Sequence, residues 1–168
     1  TQVINCKTTD YVYADYNFAG GIIGCMVGGK AENCIADGIN VDPEDYAGGI
    51  VAYAINGAEI KNCSLTGVCR IGADKYAGGI AGYIEDSVLI ENCYSEGIIR
   101  AEGMFAGGVT GYIYGGTVEN SYSTANVRGG RFIGGISGYL CSDSEGNTGK
   151  ITNCYSTSYI SSGSGNSA

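Results

Sequence analysis

Apolar residues fall in short runs broken by glycine, asparagine and aspartate, and the runs recur. One run is an aromatic residue, a small or apolar residue, two glycines and an apolar strand. It reads Phe18-Ala-Gly-Gly-Ile-Ile-Gly-Cys25, then Tyr46-Ala-Gly-Gly-Ile-Val-Ala-Tyr53, Tyr76-Ala-Gly-Gly-Ile-Ala-Gly-Tyr83, Phe105-Ala-Gly-Gly-Val-Thr-Gly-Tyr112 and Phe132-Ile-Gly-Gly-Ile-Ser-Gly-Tyr139. The first glycine of each pair stands at 20, 48, 78, 107 and 134, so the steps are 28, 30, 29 and 27 residues. A second marker, Asn-Cys, stands at 5–6, 33–34, 62–63, 92–93 and 153–154, with Asn120-Ser121 as its variant copy. Its steps are 28, 29, 30, 28 and 33, the last lengthened by an insertion around 142–149. Two interleaved markers on one period identify a repeat. A third short run lies between them: Gly38–Val41, Gly67–Ile71, Gly97–Arg100 and Ala125–Arg128.

Each repeat therefore predicts three short strands separated by turns. A unit of this size cannot bury its own apolar face. Stacking copies, each strand pairing with its equivalent about 4.8 Å away, builds one continuous core. The predicted fold is all-β: a parallel β-solenoid (β-helix) with three short strands per coil and about 5–6 coils of 27–33 residues. A β-propeller needs blades of about 40–50 residues, longer than this period. Residues 1–160 read as one solenoid domain cut from a longer protein, and 161–168 as a Ser/Gly-rich tail or linker. Coil ends invite edge pairing, so flanking domains of the same polypeptide are expected to cover them.

Stacking gives each repeated position a ladder. Phe18, Tyr46, Tyr76, Phe105 and Phe132 form one aromatic ladder, and Tyr53, Tyr83, Tyr112 and Tyr139 a second, both expected as structural cement. The Gly-Gly pairs are expected at a sharp corner or at positive φ. In Ile60-Lys61-Asn62 the alternation in, out, in requires a bend at Asn62 if Cys63 also points inward; asparagine tolerates the left-handed conformation this needs. Five cysteines share one ladder position, and Ser121 fills it in the sixth copy. Serine cannot bridge, and ladder Cβ atoms about 4.8 Å apart exceed the 3.5–4.5 Å of a disulfide, so these thiols read as small buried hydrophobes. Cys25, Cys69 and Cys141 stand outside this column without evident partners.

Composition supports strands and narrows the chemistry. Among 168 residues are 30 glycines, one proline, 19 Ile and 10 Val against three Leu. The net charge of −8 disfavours nucleic acid, and no apolar run approaches a membrane span of about 20 residues, so neither nucleic-acid binding nor membrane insertion is expected. With no histidine, Ser-His and Cys-His pairs and imidazole zinc sites are excluded. No cofactor is implied.

The candidate binding residues are Tyr94, Tyr122 and Tyr155, which follow the Asn-Cys/Ser step. The first three coils hold Lys7, Ile35 and Ser64 there, so the aromatic row is confined to the C-terminal half, as suits a surface feature. A weaker candidate is calcium at Asp143, Glu145 and Asn147, hard oxygen ligands at alternate positions that lack a terminal bidentate carboxylate. A row of Thr9, Asp37, Thr66, Glu96, Thr124 and Thr157 is too interrupted by acids for ice binding. Glu32, Lys61 and Glu91 predict an exposed ladder of alternating sign. Loops entering the Gly-Gly strand run from acidic (Asp15; Asp42, Glu44, Asp45; Asp74, Lys75; Glu102) to basic (Arg128, Arg131), which reads either as drift in solvated loops or as a docking edge with polarity. A polysaccharide-degrading β-helix enzyme is the alternative reading. It needs a carboxylate pair with a basic partner, and the clusters Asp42/Glu44/Asp45 and Asp143/Glu145 show no such partner in the repeat frame.

The recurring Gly-Gly-Ile-x-Gly-Tyr followed by Asn-Cys-Tyr-Ser resembles the GLUG-motif repeats over about residues 3–160. The resemblance implies a bacterial cell-surface or secreted protein, adhesin-like or part of an immunoglobulin A1-specific metallopeptidase. The zinc-binding His-Glu-x-x-His motif of those peptidases cannot occur here. The expectation is a non-enzymatic adhesion or spacer module whose partners are host or cell-surface proteins or glycans.

Overall fold

The computed structural model describes residues 1–162 and contains strands but no helix among them. Equivalent strands pair in parallel, one coil on the next, giving a solenoid of about six turns. The coil that begins at Tyr46 shows the plan. Its strands are Tyr46–Gly48, Val51–Ile55, Glu59–Lys61, Ser64–Thr66 and Arg70–Ala73. Each continues into its own sheet, so the coil has five short strands rather than the three expected. The extra breaks fall inside two of the predicted strands, one at Gly-Gly and one at asparagine. The third predicted strand, Gly67–Ile71, remains a single strand but is shifted to Arg70–Ala73, with Gly67–Cys69 in the turn before it.

The asparagine break is conformational. Asn5, Asn33, Asn62, Asn92, Asn120 and Asn153 all have φ between 49° and 56°. Only glycine, asparagine and aspartate enter this region cheaply. The bend falls at Asn62 as expected, but its side chain is exposed, so the order is Ile60 in, Lys61 and Asn62 outward, Cys63 in. Along the column, Asn33 Nδ2 donates to Asn5 Oδ1 at 3.2 Å, and Asn153 Nδ2 to Asn120 Oδ1 at 3.3 Å.

The glycine break is steric. None of the five Gly-Gly pairs has positive φ. Instead, a Cβ on the first glycine would overlap the carbonyl oxygen three residues on, as Gly48 meets Val51 and Gly78 meets Ala81. A Cβ on the second would overlap the backbone of the next coil's glycine, as Gly49 meets Gly79. The pair is a corner that has room for backbone only.

Inside, matching residues stack. Ala31, Ile60, Ile90 and Val118 lie in register and fully or almost fully buried, as do Val41, Ile71, Ile99 and Val127. Each such aliphatic side chain contributes about 1.5–3 kcal/mol on burial. The two predicted aromatic ladders are one structure. Successive rings of the first lie 4.7, 4.7, 5.4 and 5.0 Å apart. Rings of the second meet them edge-on, for example Tyr76 with Tyr83 at 5.2 Å and 89°. Burial pushes the Tyr83 phenol far above its ordinary range. Burial acts likewise on Tyr53, whose hydroxyl also donates to Glu85 at 2.8 Å.

All eight cysteines are unbridged. Cys34, Cys63 and Cys93 are buried, whereas Cys6 and Cys154, in the terminal coils, are exposed and half-buried. Cys63 Sγ lies 3.2 Å from the Lys61 carbonyl and 3.7 Å from that of Ala31, one coil back. Ser121 repeats the local bond to Glu119 at 2.8 Å, which is why serine substitutes there. Cys69, also buried, accepts from the Ile39 N–H at 3.3 Å and donates to the Thr66 carbonyl at 2.9 Å. Cys25 occupies the first step of the Tyr53 column, in register with it, and is exposed. Cys141 lies 3.5 Å from the Tyr112 hydroxyl.

The expected boundary at residue 160 moves. Strand Ile160–Ser162 pairs with Val127–Gly129, so Ser161 and Ser162 belong to the solenoid. The remainder of the expected tail, 163–168, lies outside the described residues.

Candidate functional site

The sheet that contains Ser64–Thr66 continues through Tyr94–Ser95, Tyr122–Ser123 and Tyr155–Ser156. Strict register places Tyr94 opposite Tyr122 and Tyr122 opposite Tyr155. The three predicted residues thus form one column of rings, with centroids 4.5 and 4.9 Å apart. Tyr94 and Tyr122 are half-buried and Tyr155 is 58% exposed. Lys7, Ile35 and Ser64 continue the row toward the N-terminus.

Two supports fix the column. The Tyr94 hydroxyl donates to the Glu96 carboxylate and lies 3.1 Å from the Thr124 hydroxyl. Burial, with the Glu96 bond second, pushes this phenol up. Behind the rings, Ser95 and Ser123 are fully buried and bond each other at 3.0 Å, and Ser95 also donates to the Gly108 carbonyl. The buried serines replace Ala36 and Leu65 of earlier coils. They were not singled out in the sequence, although the Tyr-Ser dipeptide recurring at 94–95, 122–123 and 155–156 was a legible signal.

At the insertion, Asp143 is buried and held by its own loop. Its carboxylate accepts from the Glu145 N–H at 3.0 Å, the Asn147 N–H at 2.8 Å and Asn147 Nδ2 at 2.7 Å. Burial alone would raise this carboxyl, but the hydrogen bonds from Asn147, Glu145 and Gly146 outweigh it and hold it below the usual range. Asp143 and Asn147 are brought together, but as donor and acceptor to each other. Among the described residues no cluster of three or more His, Cys, Asp or Glu is placed to hold a metal ion.

The expected charge ladder forms in part: Lys61 bridges Glu91 at 3.4 Å and Glu59 at 3.2 Å, while Glu32 pairs with Lys30 at 2.9 Å. The Asp42/Glu44/Asp45 cluster does have a basic partner, against expectation: Lys75, one coil on, sits 2.7 Å from Asp45. The repeat frame itself aligns them, since Asp45 and Lys75 immediately precede the paired Tyr46 and Tyr76.

Residues 45–71 and 105–128 match the family model of the GLUG motif. A crystal structure of a Bacteroides ovatus protein described as a candidate immunoglobulin A1 protease has the same fold, with a TM-score of 0.64 and 23% sequence identity over 96% of this chain. The match takes in 52% of that protein, so this chain spans about half its length. No curated protein matches the sequence.

Proposed function

We propose that this chain, built of GLUG-motif repeats, serves as a non-catalytic binding and spacer module of a bacterial secreted or cell-surface protein. The observation that carries the reading is the tyrosine column, three adjacent rings that are half-buried at Tyr94 and Tyr122 and exposed at Tyr155. Such rings offer an apolar surface with wet hydroxyls at its edge, which suits the faces of sugars or the side chains of a protein partner. The strip is about 10 Å long, two steps of about 4.8 Å, enough for two sugar rings. The spacer role rests on the coil geometry, since each added repeat lengthens a stiff rod by about 4.8 Å. Placement outside the cell is supported by the Bacteroides ovatus relative, whose description names immunoglobulin A1, an extracellular protein.

The test is binding of the purified chain to immobilised glycans and host surface proteins, with Tyr122→Ala in parallel. The parent is expected to retain a ligand that the variant loses, with unchanged circular dichroism. Equal retention by the variant, or no ligand at all, would remove the binding role. Cleavage of any glycan in the panel would overturn the non-catalytic reading.

A further inference from the structure

Of the four arginines of this acidic chain, Arg70, Arg100, Arg128 and Arg131, the first three line one groove. The first three occupy outward positions on successive strands of one sheet, Arg70–Ala73, Ile98–Ala101 and Asn126–Gly129. Arg100 is in direct register with Arg128, so the two stand about 4.8 Å apart along the ladder. Arg100 has a partner in Glu102 at 3.1 Å, both well exposed. Arg70 and Arg128 make no ion pair among the described residues. Like charges directly opposite in a ladder repel, so folding alone gains nothing from this arrangement. A bridging anion would reverse the sign of the interaction, since guanidinium groups grip carboxylates and sulfates through paired hydrogen bonds.

Arg70, Arg100 and Arg128 line a groove of about 1110 Å³ that also takes in Asn40, Asp42, Asp74, Glu102 and Tyr159. It crosses five strands, from Asn40–Pro43 to Ile160–Ser162, roughly 19 Å at about 4.8 Å per step. Gly72 is in register with Arg100 and leaves a gap between that residue and Asp42. Tyr159 stands 65% exposed at the far end. The groove runs from acid and amide at one end to paired guanidiniums and a phenol at the other, with Asp74 and Glu102 between them in its lining. It occupies the sheet that follows the tyrosine column along the chain.

We propose that this groove binds a linear acidic polysaccharide in which charged sugars are flanked by neutral ones. A carboxylate or sulfate sits on Arg100 and Arg128, with Arg70 beside them. Neighbouring hydroxyls bond Asn40 and donate to Asp42, and Tyr159 packs against a sugar face. A uniformly charged chain would meet Asp42 and Asp74 and be repelled. The coil rise is close to one sugar along a polysaccharide, so successive sugars meet equivalent positions of successive coils. An extended peptide at about 3.4 Å per residue drifts out of step with this ladder.

The experiment is calorimetric titration of the chain at low salt with hyaluronan and unsulfated chondroitin oligosaccharides, in which charged and neutral sugars alternate, with uniformly charged alginate, polyglutamate and dextran as comparators. At least one of the alternating glycans should bind, weaken at high salt as screening predicts, and lose at least tenfold in affinity in the double variant Arg100→Gln/Arg128→Gln. Gly72→Glu is a second variant: a Cβ there meets nothing closer than Asp42 Oδ1 at 3.5 Å, so the chain should fold while the new carboxylate occupies Arg100 and abolishes binding. Tyr122→Ala should leave this affinity unchanged, which separates failure here from failure of the tyrosine site. The proposal is overturned by no binding of hyaluronan or chondroitin, by full affinity in the double variant, or by alginate or polyglutamate binding as tightly.

Discussion

Two glycines six residues apart, Gly72 and Gly78, respond oppositely to alanine if the glycine corner is steric. Neither has positive φ, so backbone strain is not at issue. A Cβ at Gly78 would overlap the Ala81 carbonyl oxygen and come within 2.7 Å of Thr110 Cα, both rigid backbone. A Cβ at Gly72 has only Asp42 Oδ1 at 3.5 Å and the Arg100 carbonyl at 3.9 Å. To relieve the overlap at Gly78 the corner must shift. Three inter-coil hydrogen bonds are then at stake: Gly49 N–H to Gly78 at 3.2 Å, and Ile80 and Ala81 N–H to Val109 at 2.8 and 3.1 Å. At about 1 kcal/mol each, plus about 1–3 kcal/mol for overpacking, Gly78→Ala should cost about 4–6 kcal/mol. That is a large part of the roughly 5–15 kcal/mol that holds a domain together. Gly72→Ala should instead stabilise by about 0.4–1 kcal/mol by restricting the unfolded chain. Urea unfolding followed by circular dichroism measures both, and a fall in the denaturant slope for Gly78→Ala would report uncoupling of coils on either side. The steric account fails if Gly78→Ala lies within about 0.5 kcal/mol of the parent, the range of a neutral surface change, or if Gly72→Ala is equally harmful.

Further outcomes follow from the same geometry. Denatured without reductant, the chain should titrate eight free thiols; a disulfide-depleted count would refute the ladder reading. In the native state Cys6 and Cys25 should alkylate first, and burial, which pushes the Cys34 and Cys69 thiols up, should keep those two unreactive above the pH at which the exposed pair reacts. The Asp143 carboxyl is held down in the fold, so its stabilisation is full above the ordinary carboxylate pKa of about 3.9 and is lost as pH falls through the lower native value. Asp143→Ala should therefore lower the melting temperature at neutral pH and reduce the further loss on acidification; an unchanged acid profile would contradict this. Calcium should not raise the melting temperature, because the Asp143 oxygens are engaged by Asn147 and Glu145; a rise abolished by Asp143→Ala would make the loop an ion site.

The sequence alone determined the period, the parallel stacking and the ladder to which each repeated residue belongs. Register follows from the repeat: once Asn62 aligns with Asn33 and Asn92, Tyr94 must stand over Tyr122, and it does. It also determined that the thiols need no partners, because Ser121 fills the same position. It could not say how many strands a coil holds. Whether Tyr46–Tyr53 is one strand or two depends on how close the next coil's backbone comes to Gly48 and Gly49, a distance between residues about thirty apart. Nor could it decide what faces meet across a corner. The two aromatic ladders interlock edge to face only because the glycine corner folds their strands together. The arginine groove has the same origin. Arg70, Arg100 and Arg128 are separate residues on short strands until parallel pairing sets them on one face, and pairing between coils is a tertiary event even where the sequence fixes its register.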